Sequence, residues 1–401
     1  MRIAMFTNNY KPYIGGVPVS IEHLAEALRG RGHTVYIFAP TYENQVEEPY
    51  VIRYPSFPIK VAGAPVPNVL TGIFIKKVRE LNIDVIHVHH PAIVGNVALS
   101  IRKKLGVPVV FTYHTRYEAY LHYINGLEKV EQSTGFINWY LHHFCNQCDL
   151  LVAPTPGILD YLQKEQMKPP IQVMPTGIPM ENFLPEQESV AAIRQQYLGT
   201  ADYLTCTVSR LAKEKNLDFQ IRGLSCLKRL LKKKGRTFRH MIIGDGPEKK
   251  KLICQIEELG LTENIIFIGN VDNQEIKNYQ AAADAFLFTS KSETQGIVLL
   301  EAMAVGNPVV AVEVSGVRDV VKDGVNGYLT EEDTYWWAER TRMVLEEVAK
   351  REQLSQAARE TAESYSEEEV ARQAEQYYRN VCIGAMENAV DNISLPHRYV
   401  V

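Results

Sequence analysis

Short apolar runs alternating with longer helical stretches constrain this chain most, because a strand that returns parallel to its predecessor needs a crossover long enough for a helix. Runs at 3–7, 34–38, 85–88, 109–112 and 150–153 read as buried strands, and a helical pattern begins near Val19 after the first. The polar, proline-containing stretch 183–189 interrupts the series, and a second set follows at 204–208, 240–243, 265–268, 285–288 and 308–312. The expected fold class is α/β, with two doubly wound Rossmann-like domains facing across a cleft. Residues 1–185 make the first domain and 186–366 the second, and 401 residues are enough for two such cores.

Composition narrows the function. With 46 % hydrophobic and 22 % charged residues the chain is globular rather than disordered, and a net charge of −4 argues against a dedicated nucleic-acid binder. The start, Met1-Arg-Ile-Ala-Met-Phe-Thr-Asn8, lacks the apolar region and cleavage site of a signal peptide, and no apolar run reaches the ~18 residues of a membrane span. A cytoplasmic protein, free or attached to a membrane face, is expected. Six scattered cysteines do not make a disulfide scaffold, and the lone Cys145-x-x-Cys148 has no second pair, so buried thiols are the preferred reading. His87 and His89 share a strand face beside His90, but no carboxylate or cysteine accompanies them and no metal site is assigned.

Chemistry concentrates between the run at 285–288 and Pro308. Glu293 stands in the loop after the strand, Gly296 opens the next helix, and Glu301 lies roughly 7.5 Å further along it. A helix start offers unpaired N–H groups and a partial positive charge, so a diphosphate can dock on Gly296, Ile297 and Val298 while one carboxylate holds a hexose and the other a ribose. Arg210 and Lys215 follow the first strand of the second set, at the edge where open α/β sheets bind ligands, and both suit a diphosphate leaving group. Gly15-Gly16 after the first strand is not G-x-G-x-x-G, which sets dehydrogenases aside. Gly244-Asp-Gly-Pro247 reads as a structural turn.

The run Ser290-Lys-Ser-Glu293-Thr-Gln-Gly296 with Glu301-Ala and Gly306-Asn-Pro-Val resembles the donor-site signature of the retaining glycosyltransferases of family four, and the resemblance extends over nearly the whole chain. It implies the GT-B fold, with the segment from about 367 to 401 crossing back onto the first domain. It also implies that Glu293 contacts the donor sugar, Glu301 the ribose hydroxyls, and Arg210 and Lys215 the diphosphate. Gly15 and Gly16 would lie over the donor phosphates and acceptor, and His114 at the bond being made.

Tyr113-His114-Thr-Arg116-Tyr117-Glu-Ala-Tyr120, with Gln295 where phenylalanine is commoner, looks like the bacterial diacylglycerol glucosyltransferases, so Tyr113, Arg116, Tyr117 and Tyr120 are acceptor candidates. The expected partners are a UDP-sugar, a lipid acceptor and an anionic membrane surface on the inner face of the cell membrane. The segment carrying Ile73, Phe74, Lys76 and Lys77 has the basic and apolar pattern of an interfacial helix. No tightly bound cofactor is expected, though Mg2+ can accompany the diphosphate. A transferase with a soluble or polyprenyl acceptor, a nucleotide-sugar epimerase or phosphorylase, and a non-catalytic sugar-nucleotide binder remain as alternatives.

Overall fold

The computed structural model describes residues 1–13, 15–45, 47–61, 64–68, 71–115 and 131–393. They fall into two compact units, Met1–Gly177 joined by the segment from Glu367, and Ile178–Ser366.

The first unit contains β1 (Arg2–Phe6), α1 (Gly16–Gly30), β2 (Thr34–Pro40), β3 (Val51–Tyr54), the antiparallel pair β4 (Ser56–Val61) and β5 (Ala64–Pro67), α2 (Thr71–Glu80), β6 (Val85–Val88), α3 (Val94–Leu105), β7 (Val109–Thr112), α4 (Glu131–Cys145), β8 (Leu150–Ala153), α5 (Pro156–Lys164) and β9 (Ile171–Val173). Among the described residues its main sheet is parallel throughout, in the order β3-β2-β1-β6-β7-β8-β9. β6, β7 and β8 read Val-Ile-His-Val, Val-Val-Phe-Thr and Leu-Leu-Val-Ala and are buried at every position, as β-branched strands covered on both faces must be. Helices α2, α3, α4 and α5 cover one face around Phe38, Phe74, Ile101 and Phe144, and α1 covers the other with Ile21, Leu24 and Leu28. Helix α1 begins at Gly16, ahead of the expected Val19, so the glycine pair lies in the helix start itself.

The second unit repeats the plan with a 3₁₀ turn Met180–Phe183, α6 (Gln187–Leu198), β10 (Tyr203–Val208), a second 3₁₀ turn Lys213–Lys215, α7 (Leu217–Lys232), β11 (Phe238–Ile243), α8 (Lys249–Glu258), β12 (Ile265–Gly269), α9 (Asn273–Ala282), β13 (Ala285–Phe288), α10 (Ile297–Ala304), β14 (Val309–Val312), α11 (Val317–Val320), β15 (Gly327–Thr330), α12 (Thr334–Glu346) and α13 (Val348–Glu363). The parallel order is β12-β11-β10-β13-β14-β15. Met180, Phe183 and Val190 pack on this unit's core, which is why the division falls at Gly177/Ile178 and the stretch 183–189 belongs to the second unit.

Helix α14 (Glu367–Ile393) returns to the first unit. Val370, Ala371, Ala374 and Tyr378 form the stripe it buries, beside Ile3, Met5 and Val85. At its centre the Tyr378 hydroxyl meets Nδ1 of the buried His87 at 2.7 Å, and at its edge Arg31 pairs with Glu375 at 2.8 Å.

In the second unit α7 packs on α12 through Gly223, where a Cβ would lie 2.5 Å from Cε3 of Trp337. Trp337 is fully buried, whereas Trp139 and Trp336 are exposed, so tryptophan fluorescence reports chiefly on this contact. Gly223→Ala is expected to cost ~1–3 kcal/mol by overpacking and to lower the urea midpoint of that signal. An unchanged midpoint would show that the two helices part freely.

Candidate functional site

In the second unit the strand order reverses between β10 and β13, which are neighbours. Loops leaving the C-terminal ends of two such strands diverge and leave a crevice between them, the usual ligand position in an open parallel sheet. Here the two loops are stitched together: Lys291 N–H donates to the Glu214 carbonyl at 2.8 Å, and the Thr289 hydroxyl donates to the Lys215 carbonyl at 3.1 Å. Upon this frame Lys215 Nζ and Glu293 Oε1 meet at 2.6 Å as a half-buried ion pair. The sequence reading gives these two residues to different parts of a ligand, and the structure brings them together.

Gly296 caps α10 in the left-handed region, at φ 72° and ψ 62°, with no side-chain cap and no acidic residue in the first turn. Glycine adopts this conformation without penalty, so the loop turns sharply and the first N–H groups of α10 are left for an anion. A residue that sequence reasoning missed supports the same loop. A Cβ on Gly316, just after β14, would lie 2.6 Å from the Glu293 carbonyl oxygen, so only glycine lets that backbone pass. The sole signal was a glycine at the same sheet edge. The turn at Gly244–Pro247 is a buttress: the Asp245 carbonyl accepts from Leu211 N–H at 3.1 Å and holds the loop that carries Arg210. The Arg210 side chain is exposed, with no ion pair or side-chain hydrogen bond among the described residues.

Glu301, one turn into α10, is half-buried, and burial pushes its carboxyl up to about 7. Among the described residues it has no hydrogen-bond or ion-pair partner, so the shift is one of desolvation. Ile297 and Val298 are partly exposed at the helix start, whereas Gln295 is buried.

The first unit has its own reversal, between β1 and β6. Gly15, extended at φ 175°, and Gly16 open α1 after β1, again without a cap or an acid in the first turn. Across the reversal, Nδ1 of His90 accepts from Asn8 N–H at 3.2 Å. His89 Nδ1 and His114 Nε2 share a hydrogen bond of 2.8 Å, bridging the ends of β6 and β7. Both His87 ring nitrogens are engaged, by Tyr378 and by the Thr112 hydroxyl at 2.6 Å. Burial holds His87 at about 3 and His90 at about 4, and His89 and His114 well below the ordinary histidine value. The cluster is therefore a neutral hydrogen-bonding array. Among the described residues no three His, Cys, Asp or Glu side chains form a group able to hold a metal ion.

Two expectations are corrected. Tyr113 is 1 % exposed, with its ring between Phe111 and Tyr161, so it forms a wall of the core instead of touching an acceptor. Phe74 is 3 % exposed and packs on Phe6 and Tyr54, because the apolar face of α2 is consumed by the core. What α2 offers to solvent is Ile73, 59 % exposed, and Lys76 and Lys77, both paired with Glu80. Arg116, Tyr117 and Tyr120 lie outside the described residues. A surface not foreseen lies on α4, where Phe136 (63 % exposed) and Trp139 (60 %) stack in series with His143, at ring separations of 5.7 and 5.6 Å. Its signal was the aromatic spacing i, i+3, i+7.

Comparison with known proteins follows the same division. Residues 14–182 match the family described as Glycosyltransferase Family 4, and residues 190–361 that described as Glycosyl transferases group 1. The chain is 31 % identical to the alpha-monoglucosyldiacylglycerol synthase of Acholeplasma laidlawii over 82 % of its own length and 84 % of that protein's. With the synthase of the same name from Streptococcus pneumoniae the figures are 32 %, 82 % and 75 %. Among solved structures, sucrose-phosphate synthase from Thermosynechococcus elongatus superposes with a TM-score of 0.79 at 20 % identity, covering 96 % of this chain and 99 % of that one. Anabaena HepE crystallised with UDP-glucose gives 0.75 at 20 % identity, over 95 % and 100 %. These structural likenesses carry the fold, two parallel-sheet α/β domains of the GT-B type.

The raised Glu301 value has a testable sign. An acid that binds its proton more tightly when folded penalises the fold at high pH, and the penalty fades as pH falls from about 7 toward the ordinary 4.5. Glu301→Gln should therefore exceed the parent in stability by roughly 1–2 kcal/mol at alkaline pH, allowing for half exposure. In urea titrations that gap should close on acidification, and a gap independent of pH would refute the assignment.

Proposed function

As a member of glycosyltransferase family 4 the chain is a glycosyltransferase, and we propose that it moves glucose from UDP-glucose to the 3-hydroxyl of 1,2-diacylglycerol with retention of anomeric configuration. The observation that carries the donor half is the Lys215–Glu293 ion pair in the loops beside the capless start of α10. An ammonium and a carboxylate fixed against one another can face a diphosphate and the hexose attached to it at once, without either charge waiting unpaired.

In this reading Glu293 orients the hexose hydroxyls and Glu301 accepts from the ribose hydroxyls. Arg210, Lys215 and the first N–H groups of α10 compensate the charge that grows on the diphosphate as its bond to the anomeric carbon breaks. The acceptor oxygen bonds to that carbon from the same face, and its proton passes to the departing phosphate oxygen. His114 stays neutral and hydrogen-bonds a sugar or acceptor hydroxyl. A magnesium ion arriving with the donor would be held by the diphosphate oxygens.

The acceptor half is supported by the names of the Acholeplasma and Streptococcus relatives and by the Phe136–Trp139 stripe, whose ring types favour a bilayer interface. No described helix is long and apolar enough to cross a membrane, so a peripheral attachment on the cytoplasmic face is the mode proposed. Other relatives, including a sulfoquinovosyl transferase from Arabidopsis and a GDP-mannose-dependent alpha-mannosyltransferase from Corynebacterium glutamicum, have names pointing to other donors, so donor choice is tested directly.

The deciding measurement is nucleoside diphosphate release from UDP-glucose, UDP-galactose and GDP-mannose, with and without diacylglycerol in anionic vesicles. Fastest release from UDP-glucose, dependent on diacylglycerol and yielding an α-anomeric product by NMR, is expected. Release independent of diacylglycerol would remove the acceptor and leave the donor. Arg210→Ala or Glu293→Ala should lower turnover at saturating donor at least ~100-fold, the effect of losing ~3 kcal/mol of preorganised charge. Near-normal turnover in either would remove that residue's role. Phe136→Ser with Trp139→Ser should reduce sedimentation with vesicles while leaving donor affinity unchanged, and undiminished sedimentation would place the membrane contact elsewhere.

A further inference from the structure

Beneath the charged edge of the second unit, buried polar side chains join the sheet to the loop that carries Lys215. Gln220, in the first turn of α7, and Thr205, Thr207, His240 and Thr289 are each at most 2 % exposed. The Gln220 amide N–H groups donate to the Thr207 hydroxyl on β10 and to Nε2 of His240 on β11, the latter at 3.2 Å. Both partners are themselves fixed to the sheet. The Thr207 hydroxyl donates to the Leu287 carbonyl on β13 at 2.7 Å, and His240 Nδ1 meets the Thr205 hydroxyl at 2.8 Å. At the other end of the amide, Gln220 Oε1 stands 3.2 Å from the Thr289 hydroxyl, whose proton it shares with the carbonyls of Lys215 at 3.1 Å and Asn216 at 3.3 Å. Burial holds His240 at about 3, so the array stays uncharged.

Stability alone does not require polar groups here, since replacing both partners of a buried hydrogen bond by apolar groups of the same shape is nearly neutral. What a fully paired polar array supplies is a single geometry, because each member is stable only where its partner stands. That geometry ends on a backbone that needs it. Asn216 lies in the left-handed region, at φ 56° and ψ 35°, between Lys215 and the first residue of α7, a conformation uncommon outside glycine. Its carbonyl accepts from the Thr289 hydroxyl and from Gln220 N–H, the latter at 3.2 Å, and its side-chain amide donates to Glu332 at 3.2 Å.

We propose that Gln220 is a positioning residue for transfer: through Thr289 its amide fixes the turn at Lys215 and Asn216, and so the place where the Lys215 ammonium meets Glu293. The amide is anchored on three strands through Thr207 and His240, so it lends the rigidity of the sheet to a loop that has only one 3₁₀ turn of its own. The effect on turnover rests on the donor reading of Lys215. The ordering of the turn does not.

Gln220→Met keeps the length and bulk of the side chain and removes its amide. Native-state hydrogen exchange is expected to quicken at least tenfold at the amides of Lys215 and Lys291, whose partners are the Ala212 and Glu214 carbonyls, while the amides of β14 keep their protection. Unchanged exchange in the turn, or an equal rise throughout the unit, overturns the proposal whether or not any glycosyl transfer is found. In the same variant, turnover of UDP-glucose with diacylglycerol vesicles should fall at least tenfold, but less than twofold when the change is made in Lys215→Ala. Equal losses in the two backgrounds would reduce Gln220 to packing. Undiminished turnover in Lys215→Ala itself would remove the donor reading, and the role in transfer with it. Where Gln220→Met fails to fold, Thr289 decides: Thr289→Val should reproduce the local exchange and the lost turnover, and Thr289→Ser, which keeps the hydroxyl, should restore both. Equal losses in those two variants would overturn the proposal.

Discussion

Two neighbouring parallel strands whose crossovers run in opposite directions leave a place at their C-terminal ends that neither crossover covers. The described structure of both units is organised around that single constraint. In one, β10 and β13 deliver Lys215 and Glu293 to it. In the other, β1 and β6 deliver the glycine-opened start of α1 and the row His87, His89 and His90. The fold thus does not need a dedicated lobe or loop to make a site. Burying the strands on both faces already concentrates the polar ends of the chain at one edge.

What each edge then holds is different in kind. The second unit offers charge in compensated form, an ion pair beside an uncapped helix start. The first offers hydrogen-bonding capacity without charge, because desolvation keeps its imidazoles neutral. Charge suits recognition of a diphosphate, and neutral imidazole suits hydroxyl groups, whose protons must be shared without being lost to solvent.

Much of this was legible in the residues because strand, turn and helix are local patterns. Buried runs such as Ala-Phe-Leu-Phe, the position of Glu293 before α10, and the turn at Gly296 follow from spacing alone. Contacts between distant segments were not legible: Lys215 and Glu293 are 78 residues apart, and His89 and His114 are 25 apart. Periodicity marked α2 as amphipathic but could not say what its apolar face would meet, and the core took Phe74. Tyr113 failed for the same reason, since a residue directly after a strand can point inward as readily as outward. The polar stretch at 183–189 looked like a linker, yet Phe183 and Val190 anchor it to the second core.

Helix α14 carries a consequence for how the molecule comes into being. The second unit is one uninterrupted stretch of chain, complete once Ser366 has been made, whereas the first unit waits for its final helix. Until Tyr378 arrives, Nδ1 of His87 lacks its hydroxyl and the face of β1 and β6 that α1 covers lacks the rest of its cover. During synthesis from the amino terminus the unit begun first is therefore finished last, and the imidazole array is sealed only after the charged site can already be standing. An unfinished first unit would expose apolar sheet to the cell, so the completion of one core and the concealment of the neutral histidines are a single event.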